Sequence, residues 1–108
     1  MASDKYIEIL KDIVLSNIDR DNVVVFLFGS RASGKASERA DIDIGLWAES
    51  KLPRRLYHEI RNAVDESIIP YKVDIVDFTR TDPEFTSIAT KDIEIWNKPA
   101  DMNIDWMH

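Results

Sequence analysis

Cysteine is absent from the 108 residues, which removes disulfides, thiolate nucleophiles and cysteine-based zinc and fits a chain kept in the reducing cytoplasm. Only two histidines are present, His58 and the terminal His108. With only two, far apart in sequence and one at the chain end, a histidine-based zinc centre is not expected, and nothing resembles a Ser-His-Asp triad. Three glycines and four prolines are too few for a disordered or low-complexity segment, and no apolar stretch approaches the length of a membrane span. Met1-Ala2-Ser3-Asp4-Lys5 lacks the apolar core of a signal peptide. Positive charge is also in deficit, since 14 Lys and Arg against 20 Asp and Glu leave a net charge of −6. That balance argues against a long nucleic acid as substrate, whose affinity comes from cations releasing counterions from phosphates. A nucleotide escorted by magnesium remains compatible, because the metal meets most of its charge and local cations such as Arg31, Lys35 and Arg39 can meet the rest.

What is there describes one folded domain. Apolar residues make up 44% and charged residues 31%, enough for a single core but with little chain to spare for gripping two substrates. Tyr6, Leu10, Ile13, Val14 and Ile18 recur at helical spacing, predicting a scaffold helix over 4–18 that Ser3 caps. Val23 to Phe28 is an unbroken β-branched and aromatic run, predicting a buried strand. Residues 30–40 read as a phosphate loop running into a short helix, and 41–48 as a second strand. Pro53 opens a helix to about residue 68, with Leu56, Ile60, Ala63, Val64 and Ile68 inward and Arg54, Arg55, Glu59 and Arg61 toward water. His58 is expected on its exposed flank. A third strand covers 72–78, a further helix 82–91, and Ile93-Glu94-Ile95-Trp96 alternates like a short edge strand. Residues 1–98 are therefore expected to form the domain and 99–108 an irregular tail.

The chemistry gathers at strand ends. Phe28-Gly29-Ser30 ends the first strand in a turn that can offer backbone amides and a hydroxyl to an anion. Asp41 and Asp43 are two apart, so both leave one face of the second strand while Ile42, Ile44 and Leu46 build core on the other. In the third strand, Asp74 shares a face with Val76 and Phe78, whereas Asp77 points with Val73 and Ile75. Only one of these two acids can join Asp41 and Asp43. Most Asp-x-Asp pairs are solvated turn or strand acids. Three clustered carboxylates, however, repel one another and call for a divalent cation, with hard oxygen ligands suiting Mg²⁺ or Mn²⁺. Trp47, Trp96 and Trp106 are expected in core or half-core, and Trp47, on the face of Asp43, is the best placed to line a nucleotide pocket. Gly29-Ser30 is not a P-loop, lacking the Gly-Lys-Ser/Thr that would follow.

The pattern Gly29-Ser30, a ten-residue spacer, Asp41-Ile42-Asp43, with Asp74 in Tyr71-Lys72-Val73-Asp74-Ile75-Val76-Asp77-Phe78, resembles the minimal nucleotidyltransferases of the DNA polymerase β superfamily. The resemblance covers roughly residues 4 to 96. It implies an α/β nucleotidyltransferase (polymerase β-like) fold, a small mixed sheet with helices packed on one face. It also implies catalysis and metal binding by Asp41, Asp43 and Asp74, with two Mg²⁺ ions (Mn²⁺ as a substitute), and nucleotide binding by Gly29, Ser30 and Arg31. Family members of this size resemble the antitoxin half of two-gene modules, which transfer AMP from ATP to a tyrosine of a helical HEPN-type partner. Such a partner would supply the acceptor site that so small a domain lacks. Two positions depart from the commonest family pattern: Ser33 stands in place of Arg, and Ala40 in place of the Ser before the first Asp. They keep open a second reading, a catalytically weak module that neutralises or scaffolds a helical partner. Transfer to a small molecule such as an aminoglycoside is a third, and homo-oligomerisation is left open.

Overall fold

The Val24–Phe28 run becomes an inner strand of a four-stranded sheet, and its position explains why every one of its residues is buried. In the computed structural model, residues 2–34, 41–79 and 92–100 are described. They form α1 (Ala2–Ser16), β1 (Val24–Phe28), α2 (Ser30–Ser33), β2 (Ile42–Trp47), α3 (Arg54–Asp65), β3 (Val73–Asp77) and β4 (Glu94–Asn97). The sheet order is β3-β2-β1-β4. β1 pairs antiparallel with β2 and β4, whereas β2 and β3 run parallel. The parallel pair is joined through α3, the crossover that parallel strands require.

The two faces of the sheet are unlike. On one, Leu10 and Val14 of α1 and Ile60 and Val64 of α3 pack against Val25, Leu27, Ile42, Ile44, Leu46, Val73 and Ile75. On the other, Val24, Phe26, Phe28 and Phe78 form a smaller cluster, with Trp47, Val76 and Ile93 packed on it. The rings of Phe26, Phe28 and Phe78 meet at centroid distances of 5.0 to 6.0 Å, the range of tilted and edge-to-face aromatic contacts. Gly45 of β2 belongs to this packing, because a Cβ there would overlap the Phe26 ring. The expected mixed sheet with helices on one face is the observed architecture. Among the described residues, no helix is long and apolar enough to cross a membrane.

Several expectations need correction. The first helix spans Ala2–Ser16, so Ser3 lies within its first turn, and it stops two residues early. Ser16 Oγ donates to Asp12 O at 2.6 Å and Asn17 Nδ2 to Ile13 O at 2.8 Å. Asn17 Nδ2 takes a carbonyl of the last turn, and Asn17 N donates to Val14 O at 3.1 Å in a tightened final turn. The helix opened by Pro53 stops at Asp65, where Ser67 Oγ donates to Val64 O at 2.6 Å. Ile68 therefore leaves the inward stripe and is 67% exposed. Arg61 does not face open water: its guanidinium donates to Val73 O on the outer edge of β3 and to Asp65 Oδ1. It thereby covers a carbonyl that an edge strand would otherwise present. The edge strand expected at Ile93–Trp96 forms as β4, one residue later. Asn97 Nδ2 donates to Arg20 O and Val23 O at 2.9 and 2.8 Å, tying β4 to the turn before β1. The expected helix at 82–91, residues 35–40 and Trp106 lie outside the described residues.

Candidate active site

The register of the sheet places the acids. β2 and β3 align so that Asp43 lies directly beside Asp74. Neighbours in register on parallel strands leave the same face, so the two carboxylates flank each other opposite the helices. Asp41, exposed, immediately precedes β2. Asp77, paired with Leu46, points to the helix face as strand parity predicts, and its Oδ1 accepts the Thr79 N–H at 2.9 Å.

The turn after β1 closes on the same spot. Phe28 is the register partner of Asp43, so Gly29, the next residue, arrives beside the Asp43 carboxylate. Gly29 adopts φ 75°, a left-handed conformation that glycine takes without the steric cost of a Cβ. A Cβ there would also collide with Asp43 Oδ2. Two separate constraints therefore select glycine. Gly29 O accepts the Ala32 N–H at 3.1 Å, and Ser30 opens the short α2.

Charge is poorly compensated here. Burial pushes the Asp43 carboxyl above its usual proton affinity, and the charges of Asp74 and Asp41 push it the same way, while Lys72 opposes them. Asp43 therefore feels both other acids. Among the described residues, no three acidic or histidine side chains are drawn together as a ready-made ligand set.

Two neighbours were missed from the sequence. Lys72 Nζ stands 3.9 Å from Asp74 Oδ1; strand parity could have found it, since positions two apart share a face. Tyr71 supports Arg31, whose guanidinium carbon lies 4.7 Å from the ring centroid, and Tyr6 braces Tyr71 edge-on at 5.7 Å. No sequence spacing signals that stack. It holds Arg31, half-buried, near the start of β3, where a cation–π contact restrains it. Trp47 is half-buried on the face of Asp43, against the phenylalanine cluster. His58 is exposed. Lys35, Arg39 and Ala40 lie outside the described residues.

A turn of backbone amides beside an Asp-x-Asp strand with a third acid on its parallel neighbour is an arrangement suited to metal-assisted phosphate chemistry. Comparison with known proteins agrees: the polymerase beta nucleotidyltransferase family model matches residues 8–101. The chain belongs to this family. It is 34% identical over 67 residues to a probable protein adenylyltransferase, MntA, of Haemophilus influenzae, an alignment covering 62% of this chain and 59% of that relative. Among solved structures, a toxin–antitoxin MntA-HpeT mutant carrying two Asp-to-Glu changes two residues apart matches with a TM-score of 0.63 and 21% identity, over 84% of this nucleotidyltransferase and 71% of that chain. A toxin–antitoxin complex with AMP-PNP matches with a TM-score of 0.56 and 22% identity, over 79% and 67%. A tri-AMPylated HEPN toxin of Shewanella oneidensis in complex with an MNT antitoxin matches at 0.54 and 22%, over 89% and 71%. At such identities the solved structures establish a shared fold.

Proposed function

We propose that this nucleotidyltransferase is a Mg²⁺-dependent protein adenylyltransferase. It moves AMP from ATP to a tyrosine hydroxyl of a HEPN-type partner and acts as the antitoxin of a two-gene module. The observation that carries the reading is the alignment of Asp43 with Asp74, with Asp41 in electrostatic reach and Gly29 pressed against the Asp43 carboxylate. Support for the acceptor comes from the relatives, one an adenylyltransferase by name and another solved with an AMPylated HEPN toxin.

The donor set fits a divalent ion. Its ligands are hard oxygens only; burial first, and then the charges of Asp74 and Asp41, raise the proton affinity of Asp43, and a bound ion would offset both. Asp41 and Asp43 would hold one Mg²⁺ and, with Asp74, a second, with Mn²⁺ as a substitute; ions bound there neutralise charge on the triphosphate and the leaving pyrophosphate. The Gly29 amide and Ser30 receive the β- and γ-phosphates, and Arg31, braced on Tyr71, adds a fixed positive charge. Asp74 takes the proton from the acceptor hydroxyl. The acceptor oxygen then bonds to the α-phosphorus in line as the bond to the β-phosphate oxygen breaks, releasing pyrophosphate. On this reading residues 1–98 are the catalytic domain, 99–108 a tail, and the cytoplasm, where ATP is made available, the setting.

The test is incubation of the chain with ATP, Mg²⁺ and a small helical protein encoded beside it, followed by mass spectrometry of that protein. The expected result is AMP on a tyrosine, reduced at least about a thousandfold in rate by Asp43→Asn, as for loss of a metal ligand in a metal-dependent enzyme. Magnesium-dependent ATP binding without transfer to the partner would overturn the catalytic reading.

A further inference from the structure

Beside the acids lies a cation that the chemistry above does not use. Lys72 precedes Asp74 by two residues, and its ammonium stands 3.9 Å from Asp74 Oδ1. Its charge also reaches Asp43. The base of the side chain is fixed, because Lys72 O accepts the Ile42 N–H at 2.9 Å, locking this backbone to the residue that follows Asp41. The tip is not fixed: the side chain is 71% exposed, on a flexible four-carbon stem. Lys72 further lines a groove of about 390 Å³ along β3 with Arg61, Ile69, Tyr71 and Asp74, so a displaced ammonium has room to move.

The geometry points to Lys72 as a resident counter-ion of the acid cluster, whose ammonium occupies the electrostatic place of a divalent cation and must swing away before Asp74 can bind one. This inference rests on the reading of Asp41, Asp43 and Asp74 as metal ligands. A compact, hydrated point charge can substitute for a metal ion electrostatically but cannot bridge carboxylates to phosphate oxygens as a metal does. An arriving triphosphate offers the ammonium a new anionic partner, so ion loading is coupled to nucleotide arrival. Lys72 is thus a positioning residue that keeps the acids in check until nucleotide is present.

The experiment measures Mn²⁺ binding to nucleotide-free protein by calorimetry and by electron paramagnetic resonance. Lys72→Met and Lys72→Gln are both expected to bind Mn²⁺ about fivefold more tightly than the unchanged chain, a factor in keeping with one partly exposed charge. Lys72→Arg, which keeps the charge, should stay within about twofold of it. Adding a non-hydrolysable ATP analogue should tighten Mn²⁺ binding less in Lys72→Met than in the unchanged protein. Equal or weaker Mn²⁺ binding by both neutral variants, with the unchanged chain binding normally, would overturn the counter-ion role alone. Absence of Mn²⁺ uptake by all of them would overturn the metal-site reading and this inference with it. Thermal melts check that the variants fold, which the exposure of Lys72 leads one to expect.

Discussion

Asp43 is the side chain on which the site's electrostatics turn. Its carboxyl is held above the ordinary range by burial first and then by Asp74 and Asp41, with Lys72 pulling the other way. The folded state therefore binds a proton there more readily than the unfolded chain does. Stability from this group is full below the ordinary carboxylate range and falls as pH rises through the raised value. Asp43→Asn should accordingly raise the melting temperature of the metal-free protein at pH 7, and the gain should vanish near about pH 3, where the aspartate is protonated in both states. If the acids hold Mg²⁺ as proposed, magnesium should reverse the order, since only the unchanged protein would gain stability from binding it. A melting temperature that fails to rise at pH 7 without metal would contradict this account. Gly29 is the companion case. Gly29→Ala meets both the positive φ and the Asp43 carboxylate, so chemical denaturation should show a loss of about 1–3 kcal/mol. Magnesium-dependent ATP binding should be lost as well, because Asp43 must move.

The elements differ in how firmly they are specified. In α3, Ile60 is fully buried while Ile68, beyond the helix end, is 67% exposed. Ile60→Ala is expected to cost about 2–5 kcal/mol in a urea titration through cavity and transfer terms, whereas Ile68→Ala should change stability by less than about 0.5 kcal/mol. A large loss for Ile68→Ala would mean that the helix runs on as its periodicity alone suggests. The strands were legible because their signal is local. Val24–Phe28 is apolar throughout, being covered on both faces, and the parity of Asp41, Asp43 and Asp74 follows from the pleat itself. Helix ends were less legible, since Asn17 and Ser67 meet last-turn carbonyls through side-chain hydrogen bonds that apolar spacing does not encode. The position of Arg61 on the β3 edge was hidden for a related reason, its partner being Val73 O, twelve residues away on another element.

At the level of the molecule, the fold puts helices and acids on opposite faces of one sheet. The aromatic cluster of Phe26, Phe28 and Phe78 lies on the acids' own face, giving the site a packed floor while leaving the carboxylates accessible. On the proposed function, nucleotide would sit at the strand ends beside the acids and a second protein would present the acceptor hydroxyl.

The chain by itself settled the facing of Asp43 and Asp74, the glycine turn ahead of them and the strands that carry both, because pleat and spacing are properties of neighbouring residues. Folding alone settled that Asp43 lies beside Asp74 and not one register away, that Gly29 abuts the Asp43 carboxylate, that Tyr71 carries Arg31, and that Lys72 stands over Asp74. Each of these depends on which strand pairs with which and in what alignment, and that is fixed by burying both faces of the sheet at once.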